Sequence, residues 1–258
     1  MQQQRVLQLD GGVNFRELGG YETINQRQVK WQKILRSGSL RDLKTKDLAF
    51  LKQYGLHYDI DLRSSGEVDM FPDRLPDTTN YEAAPVYPFT DQNSLQGLNV
   101  KLADSSFGFF SQTYQQMIVD PHAQLAWRKL FAAMLATPTD KKSVVFHCAA
   151  GKDRTGAGAM LVLAALQVKP EIIKRDYLLT NMIFSTNNVD SIDQIVAKNA
   201  SEDMTNRMNQ VLTVEDANFD AVFATIKALS GDTEHYLQNE LKFSSQDIKD
   251  LRRLYLTD

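Results

Sequence analysis

Cys148 is the only cysteine in the chain, and five residues separate it from Arg154, with Gly151 between them and Thr155 and Gly156 just beyond. A thiol, a guanidinium and a bend of small residues together suit an oxyanion with a thiolate beneath it. Ala149, Ala150 and Gly151 let the backbone curl so that successive N–H groups point inward, and a helix starting there adds its unpaired first-turn donors and positive dipole end. Arg154 can bind two oxygens of a phosphate at once, in a plane that lysine cannot copy. The same donors favour the ionised sulfur, and cysteines so placed have pKa values lowered to roughly 3.5 to 7.5. Lys152 adds a second positive charge at the pocket wall.

Two elements must hold this loop. Ser143 to Phe146 is a short apolar, β-branched run that reads as a strand, and Gly156 to Leu166 is an unbroken Ala/Gly/Leu/Met/Val segment that reads as a buried helix. A lone cysteine after an apolar strand is more often a small buried hydrophobe than a nucleophile. Arginine, lysine and glycine in the same tight turn argue for the nucleophile, because they have little structural purpose beside an apolar strand. His147 could ligate a metal, yet no second His or Cys stands at ligand spacing, and His57, His122 and His235 are isolated. It reads as a residue that shapes the loop by hydrogen-bonding backbone and helps lower the thiol pKa.

The string His147-Cys148-Ala149-Ala150-Gly151-Lys152-Asp153-Arg154-Thr155-Gly156 resembles the signature of cysteine-dependent phosphatases, in the HCxxGKDRTG form of an atypical bacterial group of tyrosine and dual-specificity enzymes. Asn14 to Tyr21 (NFRELGGY), Leu35 to Gly38 (LRSG) and Asp61 to Ser64 (DLRS) are similar to further motifs of that family, so the resemblance covers most of the chain. It implies an α/β fold, with a tyrosine-phosphatase-like central sheet flanked by helices and extra helices at the C-terminal end. It implies that Asn14 and Arg16 tie loops together beside the phosphate loop and that Asp61 lies near it as a supporting carboxylate. Some members act on phosphoinositides, and Lys152 resembles the lysine of those enzymes. The expected partners are therefore a phosphorylated protein or a phosphoinositide, with inorganic phosphate as product and no cofactor or metal.

The rest of the chain is consistent with one domain over 1–258. With 258 residues, 43% hydrophobic and 24% charged, it has the balance of a soluble globular protein. A formal net charge of −3 argues against nucleic acid as the main ligand. No run of about 18 apolar residues predicts membrane insertion, and a single free thiol suits the cytoplasm. Tyr21 to Leu35 reads as a β-hairpin about Asn25-Gln26, Leu40 to Tyr54 as a helix, Tyr58 to Leu62 as a buried strand and Tyr81 to Ala84 as another. Residues 91–120 read as a helical cover over the site or as a peripheral helix, with Phe107, Phe109, Phe110 and Tyr114 on its aromatic face. Helices follow at Ala123 to Ala136, Pro170 to Thr180, Ile183 to Ala200, around Met204 to Leu212, Asn218 to Leu229 and Thr233 to Leu241. A last helix begins with Ser244 or Ser245 as N-cap and carries Ile248, Leu251, Leu254 and Leu256, so 170–258 is the helical part.

Phosphate transfer through Cys148 also needs a carboxyl group to protonate the leaving oxygen and later activate water. No Trp-Pro-Asp loop is present, since Trp31 and Trp127 precede Gln32 and Arg128. Asp153 leads the candidates, as the GKDR string implies. Asp91 after Pro88-Phe89-Thr90 and Asp73 in Phe71-Pro72-Asp73 are the alternatives, while Arg63 and Glu67 read as plain ion-pair residues. Two other functions would use a similar loop: a phosphate-binding module without turnover, and a thiol enzyme handling sulfur or arsenate. The first would lack the nucleophile or the arginine. The second usually wants a resolving thiol, and the chain has none.

Overall fold

The computed structural model describes residues 3–91, 95, 109–137, 141–196 and 213–258. Five strands form one sheet in the order β1 (Arg16–Glu17), β2 (Ile34–Ser37), β5 (Ser143–His147), β3 (Leu56–Asp61), β4 (Asn80–Ala83). All neighbours are parallel except β1, which runs antiparallel along the edge of β2. Around the sheet lie α1 (Thr45–Tyr54), α2 (Ser65–Met70), α3 (Phe109–Val119), α4 (Pro121–Ala136), α5 (Asp153–Ala165), α6 (Pro170–Val196), α7 (Asp216–Ser230), α8 (Thr233–Asn239) and α9 (Ser245–Tyr255).

Strand β5 occupies the middle and is buried throughout, which is why it reads as an uninterrupted apolar run. Val144 and Phe146 join the large core with Trp127, Leu130, Leu161 and Leu163, while Val145 faces a smaller core with Phe15, Leu35, Leu51 and Tyr54. A register shift between Leu56 and Tyr58 sets Tyr58 opposite Val144 and Ile60 opposite Phe146. Asp59 and Asp61 consequently share a sheet face with Val145 and His147.

Several boundaries differ from the sequence reading. The hairpin about Asn25-Gln26 forms but is shorter than Tyr21 to Leu35, pairing Gly20 to Thr23 with Arg27 to Val29 around a Glu22–Gln28 bridge, because Ile34 onward is recruited by β5. Helix α1 begins at Thr45 rather than Leu40, whose N–H is taken by the Asp73 carboxylate. The two helices expected on either side of Asn181 and Met182 are one helix, α6. No Gly or Pro interrupts it, and the Asn181 side chain fastens a neighbouring segment by bonding both the C=O and the N–H of Val214. The expected helix around 204–212, the end of the one reaching Ala200, and all of the expected cover at 92–108 except residue 95 lie outside the described residues. Asp120 caps α4 by accepting from the N–H groups of His122 and Ala123, with Pro121 in the first turn. It also accepts from the N–H groups of Thr90 and Asp91, which ties the segment after β4 to that helix.

Candidate active site

The carboxyl ends of β2, β5, β3 and β4 lie along one rim of the sheet, where loops from separate strands converge. Cys148 follows the last residue of β5, its side chain buried, and α5 starts five residues later at Asp153. The intervening turn closes through Gly151, which adopts φ +70. A β-carbon there would lie 2.5 Å from the Ser37 carbonyl and the Gly38 nitrogen, so neither the dihedral nor the space admits another residue.

The turn is held by its carbonyls. The C=O of Ala149 accepts from Ser39 N at 2.9 Å. That of Gly151 accepts from Asn14 Nδ2 at 2.8 Å and from Arg36 Nη2 at 3.0 Å, and Asn14 also reaches the Ala150 carbonyl at 3.4 Å. In a trans peptide the C=O and the following N–H point in opposite directions. Anchoring the carbonyls of 149 to 151 outward therefore turns the amides of 150 to 152 toward the inside of the loop.

Behind this turn sits a group of fully buried charges. Asp176 on α6 accepts from Arg16 Nε at 3.2 Å, Arg36 Nη1 at 2.7 Å and the Tyr21 hydroxyl at 2.9 Å. Arg16 also donates to both oxygens of Asn14 and to Thr180 Oγ1. Burial would raise the Asp176 pKa, but the two guanidinium groups outweigh it and hold it down at about 2. Asp176 was not singled out from sequence, although Ile173, Asp176, Tyr177 and Thr180 fall on one stripe of α6.

Around the sulfur, burial pushes the Cys148 pKa up, while the Arg154 charge and hydrogen bonds from the Thr155 hydroxyl and N–H pull it down; the net shift is downward. Arg154 lies under the ring of Tyr87, 4.9 Å from its centroid. Its Nη1 and Nη2 donate to the two carboxylate oxygens of Glu67 at 2.7 and 2.8 Å. Glu67 caps α2 by accepting from Ser64 N, and chiefly the Arg154 bonds lower its pKa to about 2. Read from sequence as an ion-pair residue, Glu67 does form an ion pair, and its partner is Arg154. Among the described residues Glu67 takes two of the five guanidinium N–H groups.

Asp153 opens the first turn of α5. Its Oδ1 accepts from the Tyr114 hydroxyl at 2.9 Å, and that hydroxyl accepts from Tyr177 at 2.8 Å. Tyr177 can approach because Gly156 stands beside its ring; a β-carbon at 156 would come within 3.0 Å. Asp153 also lines a pocket of about 490 Å³ with Tyr87, Phe89, Phe110, Thr113, Tyr114 and two glutamines of α3. Lys152 is buried, with Nζ 3.3 Å from the Thr213 carbonyl and 3.7 Å from Asp153 Oδ2.

The two alternative carboxyl groups stand elsewhere. Asp91 is exposed beside the cap of α4. Asp73 accepts from Leu40 N and from Arg63, its side chain only 2% exposed. Arg63 in turn grips Asp61 through Nε and Nη2. His147 Nδ1 lies 3.2 Å from the Cys148 carbonyl, and its Nε2 faces Asp59, Asp73 and Asp61 at 3.2, 3.3 and 3.7 Å. Burial would lower the imidazole pKa, but these carboxylates raise it well above the ordinary value. Asp59, Asp73 and His147 are also the group whose atoms could hold a metal, all within 4.8 Å of one another. From sequence only His and Cys were weighed as co-ligands, whereas these carboxylates come from β3 and from the segment before β4.

A family model described as "Tyrosine phosphatase family" matches residues 7–257. The chain belongs to the tyrosine phosphatase family. A Cupriavidus necator protein named as a candidate tyrosine-protein phosphatase is 30% identical over 254 residues, which cover 97% of this chain and 88% of that one. The triple specificity protein phosphatase PtpB of Mycobacterium tuberculosis is 28% identical over 237 residues, 83% of this chain and 80% of its own. A tyrosine-protein phosphatase of Nostoc commune is 33% identical over 144 residues, 54% of this chain and 46% of its own. Family membership and these relatives support phosphatase activity. Among the described residues no helix is long and apolar enough to cross a membrane.

Proposed function

We propose that the protein hydrolyses phosphate monoesters through a cysteinyl-phosphate, with phosphotyrosine as its principal substrate. The observation that carries this reading is the buried sulfur of Cys148, bonded by Thr155 and facing Arg154 at the start of α5, in a loop whose carbonyls are pinned outward. In the first step a sulfur lone pair forms the S–P bond while the P–O bond to the leaving group breaks, and the Asp153 carboxyl proton passes to the leaving oxygen. The inward amides and Arg154 bind the equatorial oxygens throughout. In the second step water attacks phosphorus and gives its proton to Asp153, and the S–P bond breaks to release phosphate.

Asp153 suits this role better than Asp73 or Asp91 because it alone of the three lines the pocket beside the loop. The aromatic lining of that pocket, with Tyr87 and Phe89 in edge contact at 4.9 Å, fits an aryl leaving group. Turnover of phosphoserine, phosphothreonine and phosphoinositides extends the reading. It is supported by the similarity to a relative named for triple specificity and by the positive charge of Lys152.

Hydrolysis of p-nitrophenyl phosphate, with mass spectrometry of the acid-quenched protein, tests the mechanism. The expected result is turnover with a phosphate adduct on the peptide holding Cys148, and loss of both in Cys148→Ser. Phosphate binding without turnover by the wild type would instead identify a binding module.

A further inference from the structure

We propose that Asp59, Asp73 and His147 form a site for one divalent cation of the zinc type, set behind the phosphate loop. Nothing in the phosphatase reading requires it, and it does not rest on that reading.

The chemistry of His147 leads to it. A carbonyl oxygen can only accept, so the 3.2 Å contact between Nδ1 and the Cys148 carbonyl places a proton on Nδ1. Nε2 then presents its lone pair to Asp59 Oδ1 at 3.2 Å and Asp73 Oδ2 at 3.3 Å, two groups that also only accept. A positive species has to lie between them, either a second proton or a metal ion.

The geometry fits the ion. Both contacts are longer than the about 2.7–2.9 Å usual for charge-assisted N–H···O bonds, as the Arg16–Asp176 bond also is at 3.2 Å, and they are nearly equal. Donors at about 2.1 Å from a common tetrahedral ion stand roughly 3.4 Å apart, which is close to both separations. Neither oxygen of Asp59 nor His147 Nε2 has a well-formed hydrogen bond among the described residues, and both side chains are fully buried. Asp59 Oδ1 and His147 Nε2 are thus within ion-pair distance, off hydrogen-bond geometry, and turned toward one another and Asp73 Oδ2.

Charge balance agrees. Asp59, Asp61 and Asp73 face one guanidinium, that of Arg63, which leaves two negative charges inside the protein. An imidazolium would cancel one of them; a divalent cation cancels both. The surroundings are those of metal ligands, whose far sides are hydrogen-bonded. His147 is fixed through Nδ1 and Asp73 through Oδ1, which accepts from Leu40 N; Arg63 bonds Asp73 on Oδ2, the oxygen that faces His147, and holds both oxygens of Asp61. One imidazole and two carboxylates suit Zn²⁺ among the common divalent ions. The ion would join β3, β5 and the segment before β4, directly behind the carbonyl of the nucleophile.

The test uses the full-length chain stripped of metal and carrying Cys148→Ser, so that the thiol cannot coordinate. Zn²⁺ is titrated by calorimetry and Co²⁺ is followed by visible absorption. One Zn²⁺ per chain is expected, with Co²⁺ bands of a nitrogen- and oxygen-ligated site and no sulfur charge-transfer band. Asp59→Asn and Asp73→Asn in the same background should each weaken binding at least tenfold, with circular dichroism reporting that each is folded. The proposal is overturned if Zn²⁺ fails to bind stoichiometrically, if it binds only when Cys148 is present, or if folded Asp59→Asn and Asp73→Asn bind as tightly as their parent. Should both variants fail to fold, the Co²⁺ spectrum of the parent decides alone.

Discussion

The two flanks of the phosphate loop are built on different principles. Behind Gly151, Asn14, Arg16, Arg36 and Asp176 are charged or polar, almost completely buried and bonded to one another, and they grip the loop by its carbonyls. In front, Asp153 is 37% exposed at its side chain and is steadied by the Tyr114 hydroxyl and the Lys152 ammonium at the edge of a pocket. The first flank fixes the shape of the anion cradle, at the cost of dehydrating ions. In the proposed mechanism the second holds the group that gains and loses a proton in every turnover, which a saturated carboxylate could not do. On that reading shape belongs to the back of the loop and proton traffic to its front.

The largest effect should come from breaking the back. Asp176→Asn leaves two buried guanidinium groups short of their counter-ion, and a loss of about 3–5 kcal/mol in urea unfolding at pH 7 is expected. The pH dependence has a definite sign. A carboxyl held down at about 2 stabilises the fold fully above its unfolded value near 3.8 and loses that contribution as pH falls through 2. The gap between wild type and variant should therefore narrow on acidification from pH 4 to pH 2. A constant gap would show that Asp176 acts by shape rather than by charge.

Next, Asp153→Asn should leave the unfolding midpoint within about 0.5 kcal/mol of wild type. It should lower kcat about a hundredfold on an aryl phosphate with a poor leaving group, and far less on one with a good leaving group. Equal losses on both substrates would remove Asp153 from the proton-transfer role. The smallest effect on turnover is expected from Tyr114→Phe, which deletes two hydrogen bonds, one to Asp153 and one from Tyr177, and costs about 1–3 kcal/mol of stability. A fall of several-fold in kcat with little change in KM is the result that assigns Tyr114 to orienting the carboxyl. A change confined to stability would make it a packing residue.

Much of the front of this design is legible from sequence, while at its back Asn14 and Arg16 are reached only through the family resemblance and Asp176 not at all. Cys148, Arg154 and the strand and helix around them announce themselves locally, because a nucleophile, a guanidinium and a glycine fall within seven residues of an apolar run. Asp176 lies on a helix far along the chain and shows its purpose only when α6 packs against Arg16 and Arg36. Asp59 was invisible for another reason: the register shift near His57 decides which face of β3 its carboxylate takes, and no period in the sequence reports it. Glu67 looked like a surface partner for any nearby cation. Its cap position on α2 was readable, but its partner depends on where the loop after β3 comes to rest.

The fork that Glu67 offers Arg154 has an entropic meaning. A long cationic arm would otherwise sweep through many rotamers, and each arriving phosphate would have to arrest it. Here that ordering is completed when the chain folds, and the arm stands aimed with two of its five donors held by Glu67. On the proposed reading the encounter with an anion resembles the closing of a socket rather than the catching of a tether, because the cost of ordering the arm is met by Glu67 before the anion arrives.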